Sequence, residues 1–89
     1  MASFSGGSAW AMAKEIADGF LLVTERNFRR LSAAEISKLG FEIERQLRSI
    51  RGEQPPLDDI AALQARNRKI QRLNGALQVL RAFRMKHRL

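Results

Sequence analysis

The chain has 89 residues, with sixteen Lys and Arg against nine Asp and Glu, one His and no Cys. That length sets a single domain with a modest core, and the missing Cys removes disulfides, thiolate chemistry and Cys-based zinc sites together. A formal charge of +7, a pI near 11.3 and a mean hydropathy of −0.29 favour association with polyanions such as nucleic acid, anionic lipid or an acidic protein.

No stretch approaches the roughly 20 apolar residues that a bilayer crossing needs. The most apolar run, Phe20 to Val23, lies between Asp18 and Glu25. The N-terminus lacks the basic and long apolar regions of a secretory signal, so a cytoplasmic protein without a membrane span is expected.

Met1 to Gly7 (MASFSGG) is rich in Ser and Gly and has no periodicity, which predicts a mobile tail ahead of a single helical domain over 8–89. Ser8 is placed to cap a first helix over about 9–26. Its Trp10, Ala13, Ile16, Ala17, Phe20, Val23 and Thr24 recur at three- and four-residue steps on one face. Gly19 weakens this segment, and Leu21 and Leu22 widen its apolar surface.

Asn27 to Leu31 breaks the pattern. Ser32-Ala33-Ala34-Glu35 then reads as a capping box, with Leu31 and Ile36 placed for a hydrophobic staple. A second helix over 33–51 follows, striped by Ile36, Leu39, Ile43, Leu47 and Ile50. Gly40 lies on the same face, where a missing side chain permits close helix approach.

Arg51-Gly52-Glu53-Gln54-Pro55-Pro56 is the strongest punctuation in the chain. Gly52 is expected as a left-handed residue just past the helix end, and Pro56 as the first residue of the next helix. Asp58 and Asp59 would then sit in its first turn, where carboxylates offset the positive helix end. The third helix is expected over about 57–85, with Ile60, Leu63, Ile70, Leu73, Leu77 and Leu80 inside an arc of roughly 160°. Arg68, Lys69 and Arg72 fall on the opposite side. Asn67 and Asn74, seven residues apart, lie near the Leu63–Ile70–Leu77 line as candidate polar seam positions or as solvated edge residues.

Beyond Leu73 the apolar arc broadens to include Ala76, Val79 and Phe83, and so wide an arc needs more than one neighbouring helix. The expected fold is therefore all-α: an antiparallel helical hairpin of two long helices, preceded by a shorter N-terminal helix. In architecture it resembles dimeric four-helix bundles, a likeness that carries no function. Trp10, Phe20, Leu77, Leu80 and Phe83 form the candidate apolar surface for a homodimer or another protein partner.

Catalytic groups are scarce. His87 stands between Lys86 and Arg88 with no carboxylate or nucleophile close in sequence, and a lone His cannot build a transition-metal site. Glu42 and Glu44 do not share a helical face, and Ser5-Gly6-Gly7-Ser8 lacks the Lys and spacing of a phosphate loop. Neither an enzyme nor a cofactor is expected. Basic residues carry the remaining signal: no acid follows Asp59. Arg26, Arg29 and Arg30 are expected to merge with Arg81, Arg84, Lys86 and Arg88 into one basic end of the bundle, able to meet phosphates or an acidic protein. The leading expectation is a helical interaction or adaptor module, homodimeric, with nonspecific nucleic-acid binding through the basic end as the alternative. A membrane-surface or calmodulin-target helix needs its apolar face free, and the hairpin partner ahead of this helix argues against that.

Overall fold

The structure, a computed structural model, describes residues 4–89. A 3-10 turn at Ser5–Gly7 is followed by α1 (Ala9–Ala17), α2 (Glu25–Phe28), α3 (Ala33–Gly52) and α4 (Ile60–His87), and the described residues contain no strand. The class is all-α, as the sequence predicts. α3 and α4 form the antiparallel hairpin, and α1 packs against both of them.

The first helix is shorter than the expected span of 9–26. Ser8 caps it, its Oγ accepting from the Ala11 amide at 3.0 Å. At the other end, the Phe20 amide donates to the Glu15 carbonyl at 2.9 Å and the Gly19 amide to that of Ile16 at 3.2 Å. This pair of bonds is a Schellman closure, which needs a left-handed residue after the cap. Gly19, at φ +81°, supplies it. Of the tail expected over 1–7, residues 1–3 lie outside the described residues, whereas Phe4 is half-buried against the core.

α3 begins as its capping box requires: the Ser32 amide donates to Glu35 Oε1 at 2.9 Å, and the Glu35 amide donates to Ser32 Oγ at 3.1 Å. It ends differently. Gly52 is the last helical residue rather than a left-handed one past the end, and extended Glu53 caps the helix. Arg66 explains the change. Its Nε donates to the carbonyls of Ile50 (3.2 Å) and Glu53 (3.1 Å), and its Nη2 to that of Arg51 (3.3 Å). A guanidinium from the next helix thus satisfies the last carbonyls that a left-handed turn would otherwise have closed. Nor does Pro56 open α4. Its carbonyl accepts from the Asp59 amide at 3.0 Å, and Asp59 is the cap, with Oδ1 accepting from the Ala62 amide at 3.0 Å.

Ile36, Leu39, Ile43 and Leu47 of α3 meet Leu73, Leu77 and Leu80 of α4 in one core, joined by Met12, Ala13, Ile16 and Ala17 of α1. Gly40 is buried where the two long helices meet, and a β-carbon there would make only ordinary contact with a Leu80 methyl, at 3.5 Å. Phe28, fully buried, seals the far end with its ring centroid 5.6 Å from that of Phe83. The first two turns of α4 run past the end of α3, so Ile60 is exposed and Leu63 and Ile70 are only half-buried.

Candidate protein-interaction surface

Past Gly19 the chain bends at Phe20 and runs without regular secondary structure to Thr24, which caps α2, its amide donating to Asn27 Oδ1 at 2.8 Å. Exposure alternates along this stretch. Val23 is buried and Leu21 half-buried, whereas Phe20 is 84% and Leu22 87% exposed. Between this connector and α4 lies an open groove of about 310 Å³, walled by Ile16, Leu21 and Val23 on one side and by Gly75, Ala76 and Val79 on the other. The sequence expectation placed Phe20 on the apolar face of a continuous helix and in the candidate partner surface. The helix instead ends at Ala17, and Phe20 stands exposed on the connector after Gly19.

The rest of the expected apolar surface divides in two. Leu77, Leu80 and Phe83 are buried at 6%, 1% and 5% exposure in the core shared with α1, α2 and α3, so within one chain they are not open to a partner. Trp10 stays 53% exposed, with Lys14 Nζ 5.8 Å from its ring centroid.

Several cations that looked free in the sequence have structural work. Arg72, expected to face away from the core, donates from Nη1 to the carbonyl of Ala17 at 3.1 Å, closing α1 as Arg66 closes α3. Its Cζ would lie 2.9 Å from a β-carbon at position 19, a contact that the flexible Arg72 could relieve by shifting, so it is the positive φ that favours Gly19. Lys69 Nζ is 3.7 Å from Asp18 Oδ1. Arg68 remains exposed. Arg81 does not join the basic end: its Nη2 lies 3.2 Å from Glu44 Oε1 on α3.

At the end itself, α2 packs on α4 and does bring the two clusters together. Glu25 Oε2 sits between Lys86 Nζ (3.4 Å) and Arg29 Nη2 (3.9 Å). Arg26, Arg30 and Arg88 are exposed, and none of them forms an ion pair with a described residue; Arg84 is half-buried. His87 packs on Phe83 with ring centroids 4.3 Å apart and planes tilted by 43°.

The carboxylates of α3 do not combine either. Glu42 is buried, with Oε1 3.5 Å from Arg45 Nη1 and Oε2 without a hydrogen-bond partner, while Glu44 faces Arg81. Among the described residues no three His, Cys, Asp or Glu side chains gather as metal ligands, and no helix is long and apolar enough to cross a membrane. No family model, curated protein or solved structure matches the chain.

Gly75 is the surface residue that sequence reasoning did not place, and Leu22 entered it only as widening the apolar surface of the first helix. Leu22 was legible in principle, because a Gly followed by four apolar residues also fits a helix stop and an extended run. Gly75 gave no such signal, since a lone Gly inside a helical pattern marks no particular contact.

Proposed function

We propose that the chain is a non-enzymatic interaction module of the cytoplasm that docks another polypeptide through the connector face. One observation carries this reading: Phe20 and Leu22 project almost fully into solvent, and Leu22 lines an open apolar groove. Large contiguous apolar patches on a small domain mark interaction sites, whereas singly scattered ones need no explanation. The cysteine-free sequence suits a reducing compartment. Tagged protein retained on resin, washed at moderate salt after nuclease treatment, should capture polypeptide from a lysate, its own untagged chain included. The double variant Phe20→Ser/Leu22→Ser should lose that capture while keeping the wild-type helical content. Capture that survives in the double variant places the working surface elsewhere.

A second reading has its own observation. Arg26, Arg30 and Arg88 stand exposed at one end without partner carboxylates, which suits nonspecific contact with nucleic-acid phosphates. Such binding weakens by orders of magnitude between low and moderate salt, whereas apolar docking hardly changes. Arg26→Glu/Arg30→Glu should abolish it and leave capture through Leu22 intact.

A further inference from the structure

We infer that the occupant of the connector face is a second copy of the chain, lying antiparallel across the middle of α4. This rests on the docking function proposed above and names its partner. A glycine inside a helix weakens it through backbone entropy. At Gly40 a β-carbon would at least pack against Leu80, 3.5 Å away. At Gly75 a β-carbon would meet no atom within 4 Å, so nothing inside the chain makes use of the missing side chain. Gly75 opens instead onto the groove beside Leu22, where its bare backbone admits another helix at short range.

Charge selects the partner and its direction. Gly75 lies near the midpoint of α4 (Ile60–His87). At about 1.5 Å per residue, Asp59 lies about 24 Å before Gly75 and Arg88 about 20 Å beyond it. Glu53, Asp58 and Asp59 gather at the start of the helix and Arg84, Lys86 and Arg88 at its end. Two copies crossing antiparallel at Gly75 set the acidic start of each beside the basic end of the other, twice over, as a two-fold axis requires. A parallel pair would oppose like charges at both ends. The other open face of the hairpin is a poorer seam for self-association. Its concavity is lined by Arg48, Arg51 and Arg81 with Glu44 as the carboxylate, so a second copy there would bring guanidinium against guanidinium.

Sedimentation equilibrium of the full chain, from low to several hundred micromolar, tests the proposal. The mass should rise from 10.1 kDa toward twice that value. Gly75→Glu improves helix propensity yet places two carboxylates at the crossing, so it should hold the protein monomeric with helicity and melting temperature unchanged or raised. Leu22→Ser should raise the dissociation constant at least about tenfold, while Arg48→Glu should not. Because the chain has no native Cys, Gly75→Cys should give a covalent dimer under mild oxidation, and Asp58→Cys should cross-link to Arg88→Cys but not to itself. A wild type that stays monomeric throughout overturns the second copy, as does a dimer that survives both Gly75→Glu and Leu22→Ser. Self-linking of Asp58→Cys overturns the antiparallel arrangement. A monomer that still captures a foreign protein through Phe20 and Leu22 would remove this inference and leave the docking function standing.

Discussion

The α3–α4 hairpin and the connector before it are built from the same side chains and obey different rules. In the hairpin, a residue's place follows from its spacing: Ile36, Leu39, Ile43 and Leu47 are buried because they share one helical face. In the connector, Phe20 and Phe28 stand eight residues apart, one 84% exposed and the other fully buried. Neither hydrophobicity nor period separates them. Their fates are decided by a left-handed glycine and by an arginine that closes α1 from 55 positions further along the chain. Local periodicity therefore fixes packing only where the helix continues.

Breaking each region at its best-buried ring or branch gives the largest effects. Phe28→Ala should lower unfolding free energy by about 3–5 kcal/mol, the usual range for a fully buried ring. Phe20→Ala should change it by less than about 0.5 kcal/mol, as for other exposed positions. Urea denaturation followed by circular dichroism measures both. Equal losses at the two sites would mean that Phe20 packs inside the monomer. For the hairpin, Leu73→Ala should cost about 2–4 kcal/mol. Ile70, which the helical wheel puts on the same stripe, should cost roughly half as much, since it is only half-buried and area removed from water scales the effect.

That contrast shows how much of the molecule was legible. The two long helices, the Ser32 capping box, the break at Pro55–Pro56 and the core from Ile36 to Leu47 follow from local chemistry, and the structure has them all. The overhang of α4 past α3 was not legible, because the lengths of two paired helices say nothing of their relative register. On the helical wheel Arg72 falls away from the apolar stripe, and nothing in the spacing marks Arg66. A guanidinium that caps another helix leaves no trace in its own neighbourhood, so only the tertiary pairing reveals the role. The connector was read as a continuation of the first helix, since an apolar run after one Gly satisfies a helical period about as well as a strand-like one.

Smaller effects should appear where arginine closes a foreign helix. Arg72→Ala should cost about 1–2 kcal/mol, the range for a backbone carbonyl left without its partner. Amide hydrogen exchange should speed up first at Gly19 and Phe20, whose bonds close α1. Arg66→Ala should show the matching effect at Glu53, whose amide bonds the Ile50 carbonyl at 3.1 Å. Lys at either position should recover little, because an ammonium lacks the planar fork that spans neighbouring carbonyls. Should Arg72→Ala leave exchange at Phe20 unchanged, Gly19 alone would be sufficient to turn the chain.

The smallest effect sharpens the same point. Lys69 and Asp18 sit beside the Arg72 contact, with side chains 45% and 28% exposed and 3.7 Å apart. By charge alone they appear to fasten α4 to the start of the connector. Solvent screens such a pair, and ordering a long Lys side chain offsets part of the attraction, so exposed ion pairs contribute roughly 0.2–1 kcal/mol. A double-mutant cycle on Asp18→Ala and Lys69→Ala should therefore give a coupling below about 0.5 kcal/mol, and it should vanish near 1 M salt, where the Debye length falls to about 3 Å. The loss caused by Arg72→Ala should persist at that salt, because its acceptor is a neutral carbonyl and the contact is part-buried. If the two perturbations faded together, the connector would be held by charge, and the hydrogen bond from Arg72 to Ala17 would be incidental.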